Sequence, residues 1–172
     1  PERALRADFE TLRKKIAGMR ADPTTPDTRL SDDPMAYNPA TVHSLIQLML
    51  GGLRPKHYGE PLHCRLRYFD ADERRPGLPE DVGALVESLS ADSAMLTLVN
   101  LSPASWKTVI VQGGAYAEHQ LLSVEREGDS TAIGAPSVAV ELSPGAGSRL
   151  TFKMKRYANS PTLAWPWDAG SR

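Results

Sequence analysis

The sequence predicts a mainly β protein, an antiparallel β-sandwich of about seven strands that two α-helices and an extended connector precede. Three observations predict this fold class. Between about residue 62 and residue 157, apolar residues repeatedly alternate with polar ones, as they do in half-buried strands. Breaks rich in Gly, Pro, Asp and Ser interrupt this pattern at the spacing typical of a sandwich. Before residue 53, the apolar residues recur at helical spacing instead.

The length and the net charge of the chain limit how many domains it forms and which kinds of partner it binds. The chain has 172 residues, one cysteine and a formal net charge of −1, which suits one ordinary domain with an additional arm. We divide it into a helical arm at 1–53 and a β-sandwich domain at 54–172 with a tryptophan-containing tail. The balanced charge argues against a nucleic-acid partner and against a basic membrane surface.

The sequence also bears on where the protein is located. No apolar run reaches the roughly 20 residues of a membrane span, and the first residues, PERALRADFE, do not resemble a signal peptide. We therefore slightly favour the cytoplasm. Because the chain starts at Pro1, we expect that it has lost its initiator methionine or was cut from a longer chain.

The first predicted helix covers about residues 2–21. An apolar stripe recurs at steps of four and three, and it comprises Leu5, Phe9, Leu12, Ile16 and Met19. Asp22 and Pro23 end the helix, since the residue before a proline disfavours helical backbone. The stripe indicates either a helix that lies on the core of its own domain or a helix that binds a partner, and the pattern leaves both open.

An extended connector is predicted at 22–38, followed by a second helix at 39–50. The connector is rich in Pro, Asp and Thr and has no periodicity. Asn38 is a good N-cap, Pro39 suits the first helical position, and Gly51-Gly52 closes the end. This helix is apolar on nearly every face, so we expect a larger partner or a neighbouring helix to cover it on several sides.

The strands are predicted from seven segments. Three of them, LHCRLRYF, SVAVEL and RLTFKMKRY, alternate strictly, and two others, AMLTLVNL and WKTVIVQ, are more continuously apolar, as central strands can be. ALVESL is ambiguous, but the following SADS favours a hairpin turn and therefore a strand. The seventh lies in GGAYAEHQLLSVE, and the segments ERRPGLPED and EGDSTAIGAP are interpreted as breaks.

Glu118 and His119 place an acid and an imidazole side by side after a Gly-Gly turn. Neighbours in a strand point to opposite faces, so these side chains would share a metal ion only if a bulge intervened. The chain has no H-x-H, HExxH, CxxC, P-loop or GxSxG motif. We therefore predict no metal and no cofactor, and a hydrogen-bonded structural role in a strand for the pair.

Other residues that could take part in chemistry or binding also have structural interpretations. Cys64 alternates with apolar neighbours and is predicted to be a small buried residue. Arg65 and Arg67 are predicted to lie on a solvated face, with carboxylate or phosphate binding as the alternative. The tail places Trp165 and Trp167 around Pro166, where it would plug one edge of the sandwich or, if exposed, contact sugar or a protein partner.

The series of segments along the chain carries a resemblance. In order, they are NPATVHSLIQLMLGG, GEPLHCRLRYFD, RRPGLPEDVGALVE, LTLVNLSP, VIVQGGAYAEHQ and MKRYANSPTLAWPW. This series resembles the C-terminal region of large, mostly uncharacterised bacterial proteins. The longer N-terminal part of those proteins is similar to an (α/α) toroid of the kind found in glycoside hydrolases and polysaccharide lyases.

The resemblance covers nearly the whole chain and has structural implications. It implies that residues 1–53 are the last helices of a toroid and that residues 62–167 are the β-sandwich beside it. It assigns no catalytic residue, because toroid enzymes carry their catalytic acids in the helical bowl, which this chain largely lacks. The chain would then be a fragment, a separately encoded small subunit or a domain with an independent role.

Three functional hypotheses follow. The first is a non-catalytic β-sandwich subunit or domain that completes a carbohydrate-active toroid enzyme, with His63, Glu118, His119 and Trp165 as candidate binding residues in a wall of the substrate cleft. Its partner would be a larger helical chain or a second copy, and its ligand a carbohydrate. The second is a self-contained isomerase or lyase, which predicts that His63 meets Glu118 or His119. The third is a purely structural interaction subunit.

Overall fold

The computed structural model describes residues 1–25, 43–53 and 61–168. The chain forms two compact units, Pro1–Leu45 and Ile46–Arg172. Most of the predicted connector at 22–38 lies outside the described residues, as do the predicted helix start at Asn38-Pro39 and the end of the tail. No helix in the described ranges is long and apolar enough to cross a membrane.

The first helix, α1, runs from Glu2 to Ala21 and confirms the prediction for this segment. Asp22 has extended backbone, and its carboxylate accepts hydrogen bonds from the N–H and hydroxyl of Thr24, which ends the helix. No residue of α1 is buried. Its apolar stripe is therefore at least partly open to solvent along its whole length.

The second helix, α2, is described from His43 to Leu50. Gly51 follows it with φ +58, and the N–H groups of Gly51 and Gly52 donate to carbonyls of the last turn, an arrangement that glycine favours. Met49 and Leu50 pack against the core of the second unit. The hydroxyl of Tyr68 donates to the carbonyl of Met49 and fixes this end of the helix.

Within the described ranges, nine strands follow, and all their pairings are antiparallel. They are β1 (Leu66–Asp70), β2 (Arg75–Pro76), β3 (Val82–Leu89), β4 (Ser93–Asn100), β5 (Lys107–Gly113), β6 (Gln120–Arg126), β7 (Asp129–Ala135), β8 (Ser137–Leu142) and β9 (Gly147–Lys155). A four-stranded sheet has the order β2-β1-β5-β8, and a five-stranded sheet has the order β3-β4-β9-β6-β7. The predicted fold class, a β-sandwich after two helices, is confirmed.

The core lies between the two sheets and is made of alternating side chains from the central strands. In β4 and β9, every second residue is buried, as expected for strands with one face on the core. The largest fully buried apolar side chains of this core are Phe152, Leu66, Leu96, Leu98 and Leu121. The alternation seen in the sequence therefore marks the strands that hold the sandwich together.

Two of the predicted breaks contain strands, and one predicted strand is shorter than expected. The prediction of a break at EGDSTAIGAP is wrong, because β7 lies there. Glu127 and Gly128 turn the chain with φ of +53 and +93, the geometry of a two-residue hairpin. The short β2 lies in ERRPGLPED. Residues 62–65 were predicted as part of the first strand but lie before β1, because they hydrogen-bond to the end of α2. The N–H of Leu53 donates to the carbonyl of His63, and the N–H of Arg65 donates to the carbonyl of Leu50.

Candidate functional site

Glu118 and His119 lie in a turn between β5 and β6, so the prediction of a strand pair is wrong. The chain bends here because Gly114 and Ala117 both have left-handed backbone, with φ of +85 and +60. The Glu118 carboxylate accepts hydrogen bonds from the N–H groups of Ala115, at 3.3 Å, and Tyr116, at 2.7 Å. A Cβ at position 114 would overlap this carboxylate. Glu118 therefore closes the turn, and glycine at 114 leaves room for it.

Side chains and backbone from two other segments, β1 and the C-terminal segment, hold this turn. Arg67 donates to the carbonyl of Ala115 at 2.7 Å, and the Asn159 side chain donates to the carbonyl of Ala117 at 3.0 Å. The N–H of Thr162 donates to the carbonyl of Tyr116 at 2.9 Å. The C-terminal segment is thus fastened to the turn at two points. The turn is buried as a result, including Glu118 and His119.

Two histidines meet at Tyr157, two residues after the end of β9. The backbone N–H of Tyr157 donates to Nδ1 of His119 at 3.2 Å, and the two rings meet edge to face with centroids 4.8 Å apart. The Tyr157 hydroxyl lies 3.4 Å from Nε2 of His63. We call these three residues the tyrosine cluster. Tyr157 has φ +52, a conformation that is unusual for a bulky residue and that often marks turns or functional sites.

Positive charges surround the tyrosine cluster. The guanidinium of Arg156 lies over the Tyr157 ring, 5.1 Å from its centroid. Burial lowers the pKa of His119, and the nearby charges of Arg156 and Arg65 lower it further, although Glu118 acts in the opposite direction. His119 is therefore neutral at pH 7, with Nδ1 as the acceptor and the ring proton on Nε2.

Arg65 and Arg67 do not form a free face of the sandwich. Arg65 donates to the carbonyls of Ser90 and Ala91, at 2.8 and 3.3 Å, and so anchors the turn between β3 and β4. Burial lowers the pKa of Arg65, and Arg156 adds to this effect. Arg67 holds the Glu118 turn and also lies over the ring of Phe69 at 4.9 Å. Both residues are half-buried, and their guanidinium groups hold turns of the fold; carboxylate or phosphate binding by them stays a prediction.

Cys64 is a buried free thiol, as predicted. Burial raises its pKa to about 12, and the negative charge of Glu118 contributes in the same direction. A thiol with such a pKa stays protonated near neutral pH and is a poor nucleophile.

Trp165 lies in an aromatic cluster that the structure keeps apart from the histidines. Its ring stacks on Trp167 with centroids 5.6 Å apart and planes at 17°. The buried ring of Phe69 meets both tryptophans edge to face, at 6.1 and 5.9 Å. Trp165 remains 40% exposed, so this part of the tail both covers the sandwich and presents an aromatic surface.

The structure therefore joins some predicted binding residues and separates others. His63 and His119 meet through Tyr157, Glu118 directs its carboxylate into its own turn, and Trp165 belongs to a different cluster. Sequence reasoning missed Tyr157, which appeared only as the last residue of the alternating segment RLTFKMKRY. Among the described residues, no group of three or more His, Cys, Asp or Glu side chains could hold a metal ion.

Comparison with known proteins adds no assignment to this geometry. No protein-family model, curated protein or solved structure matches the chain at a significant level.

Proposed function

We propose that this chain is a non-catalytic β-sandwich subunit or domain that completes a larger carbohydrate-active enzyme of the toroid type. In this role it binds the larger chain through its helices and contributes a wall of the substrate cleft. The resemblance along the sequence suggests the enzyme class, and the features of α1 and of the two aromatic clusters support the role.

The observation that carries the proposal is the apolar stripe of α1, none of whose residues is buried. Phe9 is 56% exposed and Met19 is 42% exposed, although both belong to a regular apolar stripe. In α2, likewise, no described residue is fully buried. An apolar helix face that is open to water is unfavourable until another surface covers it. A helical partner is the covering surface that the resemblance suggests.

The state of the acid–base groups supports a non-catalytic role. The Glu118 carboxylate is occupied by two backbone N–H groups, and Nδ1 of His119 accepts a third. The Cys64 thiol is buried and protonated. A general acid or base has to reach a substrate proton, and these groups are directed into the fold. A self-contained isomerase or lyase would depend on the exposed pair of His63 and Tyr157 alone, and we favour it less for that reason.

The aromatic surface supports a sugar-facing role. Exposed indole rings offer a flat apolar face beside a polar N–H group, and the stacked pair of Trp165 and Trp167 has this form. His63 and Tyr157, both exposed, add hydrogen-bonding atoms. Together these residues could contact the faces and hydroxyls of a sugar that is bound mainly by the larger chain.

Native mass spectrometry of the untagged protein from its source, with peptide mapping of every co-purifying chain, tests the proposal. We expect a larger, helix-rich chain at fixed stoichiometry, or this sequence as the end of such a chain. The Phe9→Ser variant should release the partner or, in a single longer chain, expose the helix to limited proteolysis. Lys14→Ser, on the exposed polar side of α1 opposite the stripe, is the matched control. If the chain purifies alone and Phe9→Ser changes neither association nor proteolysis, the proposal fails.

A further inference from the structure

A cleft of about 700 Å³ lies between β8 on one sheet and β6 and β7 on the other. Its floor is apolar and is formed by Val124, Val138, Val140 and Leu150. Its rim carries the 65% exposed ring of Trp106 and four charged residues, Arg126, Glu127, Asp129 and Glu141. A volume of this size is in the range of ligand-binding sites, yet neither the tyrosine cluster nor the tryptophan pair contributes to it.

The cleft arises because the two sheets are unequal. The chain passes from β7 to β8 through Pro136 alone, so these two strands lie at the same side of the sandwich. β8 is the last strand of the four-stranded sheet, whereas β7 is the fifth strand of the other. The position beside β8 is therefore where a fifth strand of the smaller sheet would lie.

The backbone at this edge is available for pairing. The N–H of Gly113 donates to the carbonyl of Pro136, and with the register of β5 and β8 this places the backbone groups of Val138, Val140 and Leu142 toward β5. The N–H and carbonyl groups of Ala139 and Glu141 then point to the open side. No backbone hydrogen bond among the described residues involves them there.

Among the edge strands that the structure describes, β8 lacks the usual protection against pairing. β2 is only two residues long and contains Pro76, and β3 pairs through a bulge between Val86 and Ser88. β7 pairs across a bulge and contains Gly134. β8, by contrast, has six residues in unbroken register. Natural proteins shield such edges unless the edge is used.

We propose that an extended peptide segment of a partner protein binds beside β8 as a fifth strand. Alternate apolar side chains of the segment lie in the cleft above Val124 and Leu150 and against Trp106. The rim has three carboxylates and one guanidinium, so basic side chains at the other positions complement its charge. A second copy of the sandwich fits less well, because it would bring the same three carboxylates and one guanidinium to the rim and so would not complement its charge.

A capped eight-residue peptide of alternating valine and lysine is the probe, titrated into the full chain with backbone amide NMR as the readout. We expect saturable binding with the largest shifts at Ala139 and Glu141. Ala139→Pro removes an N–H that points outward and leaves the pairing with β5 intact, so it should weaken binding about tenfold or more. Trp106→Ala should weaken it as well.

Ala84→Pro is the matched control. By the same register argument, the N–H of Ala84 points away from β4 at the opposite edge, so this variant should bind as the original chain does. Thermal unfolding of both proline variants checks that the sandwich remains folded. A peptide methylated on alternate backbone nitrogens should not bind. The proposal is overturned if the peptide fails to bind at millimolar concentration, binds Ala139→Pro equally well, or shifts amides away from β8. Self-pairing of the chain through β8 would overturn it too.

Discussion

The backbone N–H of Tyr157 donates a hydrogen bond to Nδ1 of His119 over 3.2 Å. This bond joins the end of β9 to the turn before β6, and it requires an imidazole that is unprotonated at Nδ1. The fold of this corner therefore depends on the charge state of one buried histidine.

We expect acidification to destabilise the protein through His119. Its pKa in the folded chain is lowered from the ordinary value of 6.5, so the unfolded chain binds more protons than the folded chain just below that pH. The free energy of unfolding is then at its full value above pH 6.5 and falls as the pH drops toward the folded pKa. Urea unfolding between pH 5 and pH 7.5 measures this slope.

His119→Gln should reduce the slope, because glutamine can accept the Tyr157 bond but does not titrate. It should also lower stability at pH 7.5, because the ring contact between His119 and Tyr157 is lost. The control is His63→Gln, at the exposed histidine of the tyrosine cluster. An unchanged slope in His119→Gln would show that other groups control the response to acid.

Gly114→Ala should destabilise the protein more than a glycine substitution at an open turn. Gly114 has φ +85, and an added Cβ would overlap the Glu118 carboxylate, so strain and steric conflict together cost about 3 kcal/mol. Gly145 has φ +66 but nothing within 4 Å, so Gly145→Ala should cost only about 1 kcal/mol. Denaturant unfolding compares the two variants. Equal losses would mean that the Glu118 contact is unimportant.

The double variant Gly114→Ala/Glu118→Ala separates strain from overlap. Removal of the carboxylate relieves the steric conflict, so the double variant should lose less stability than the two single variants together. A strictly additive loss would contradict the assigned contact between these positions.

The sequence was informative where periodicity and burial coincide. In β8 and β9, one face lies on the core, so the alternation in SVAVEL and RLTFKMKRY predicted the strands correctly. β7 was not predicted because most of its residues are exposed on both faces, so its sequence does not alternate between apolar and polar residues. Its hairpin turn also uses Glu127, which does not by itself signal a positive φ.

The site was harder to predict than the fold, because it depends on contacts between distant segments. The strand interpretation of Glu118 and His119 failed because Ala117, a non-glycine residue, has left-handed backbone there. The meeting of His63 with His119 depends on Tyr157, 94 residues from His63 in sequence. Local patterns carry no information on such a contact. The separate position of Trp165 follows from the packing of both tryptophans on Phe69, which only the tertiary structure reveals.

Asn100 should be among the most sensitive polar positions of the sandwich. It is fully buried, and its amide nitrogen lies 2.8–3.2 Å from the carbonyls of Ser105, Leu142 and Ser143. Its side-chain oxygen accepts the N–H of Ser102 at 3.0 Å. Asn100→Ala would leave these buried groups unpaired, so we expect a loss of about 3 kcal/mol in the free energy of unfolding.

Ser148→Ala is the contrasting case at a buried serine. The Ser148 hydroxyl has no hydrogen-bond partner among the described residues, so its removal should leave stability unchanged or raise it by about 1 kcal/mol. Chemical denaturation of both variants checks the pair. A large loss in Ser148→Ala would reveal a partner for this hydroxyl.

Cys64 should resist modification in the folded protein and react once the protein unfolds. Its pKa of about 12 reflects burial and the charge of Glu118, so at pH 8 very little thiolate forms and reagents have little access to it. A disulfide reagent such as DTNB should react at pH 8 only at the rate of local or global opening, and promptly in denaturant.

Glu118→Gln removes the negative charge but opens the turn. It should therefore speed the reaction by increasing access, in parallel with a loss of stability. Rapid reaction of the unaltered folded chain would show that the Cys64 region opens readily, which would contradict the closed packing of the Glu118 turn against the C-terminal segment.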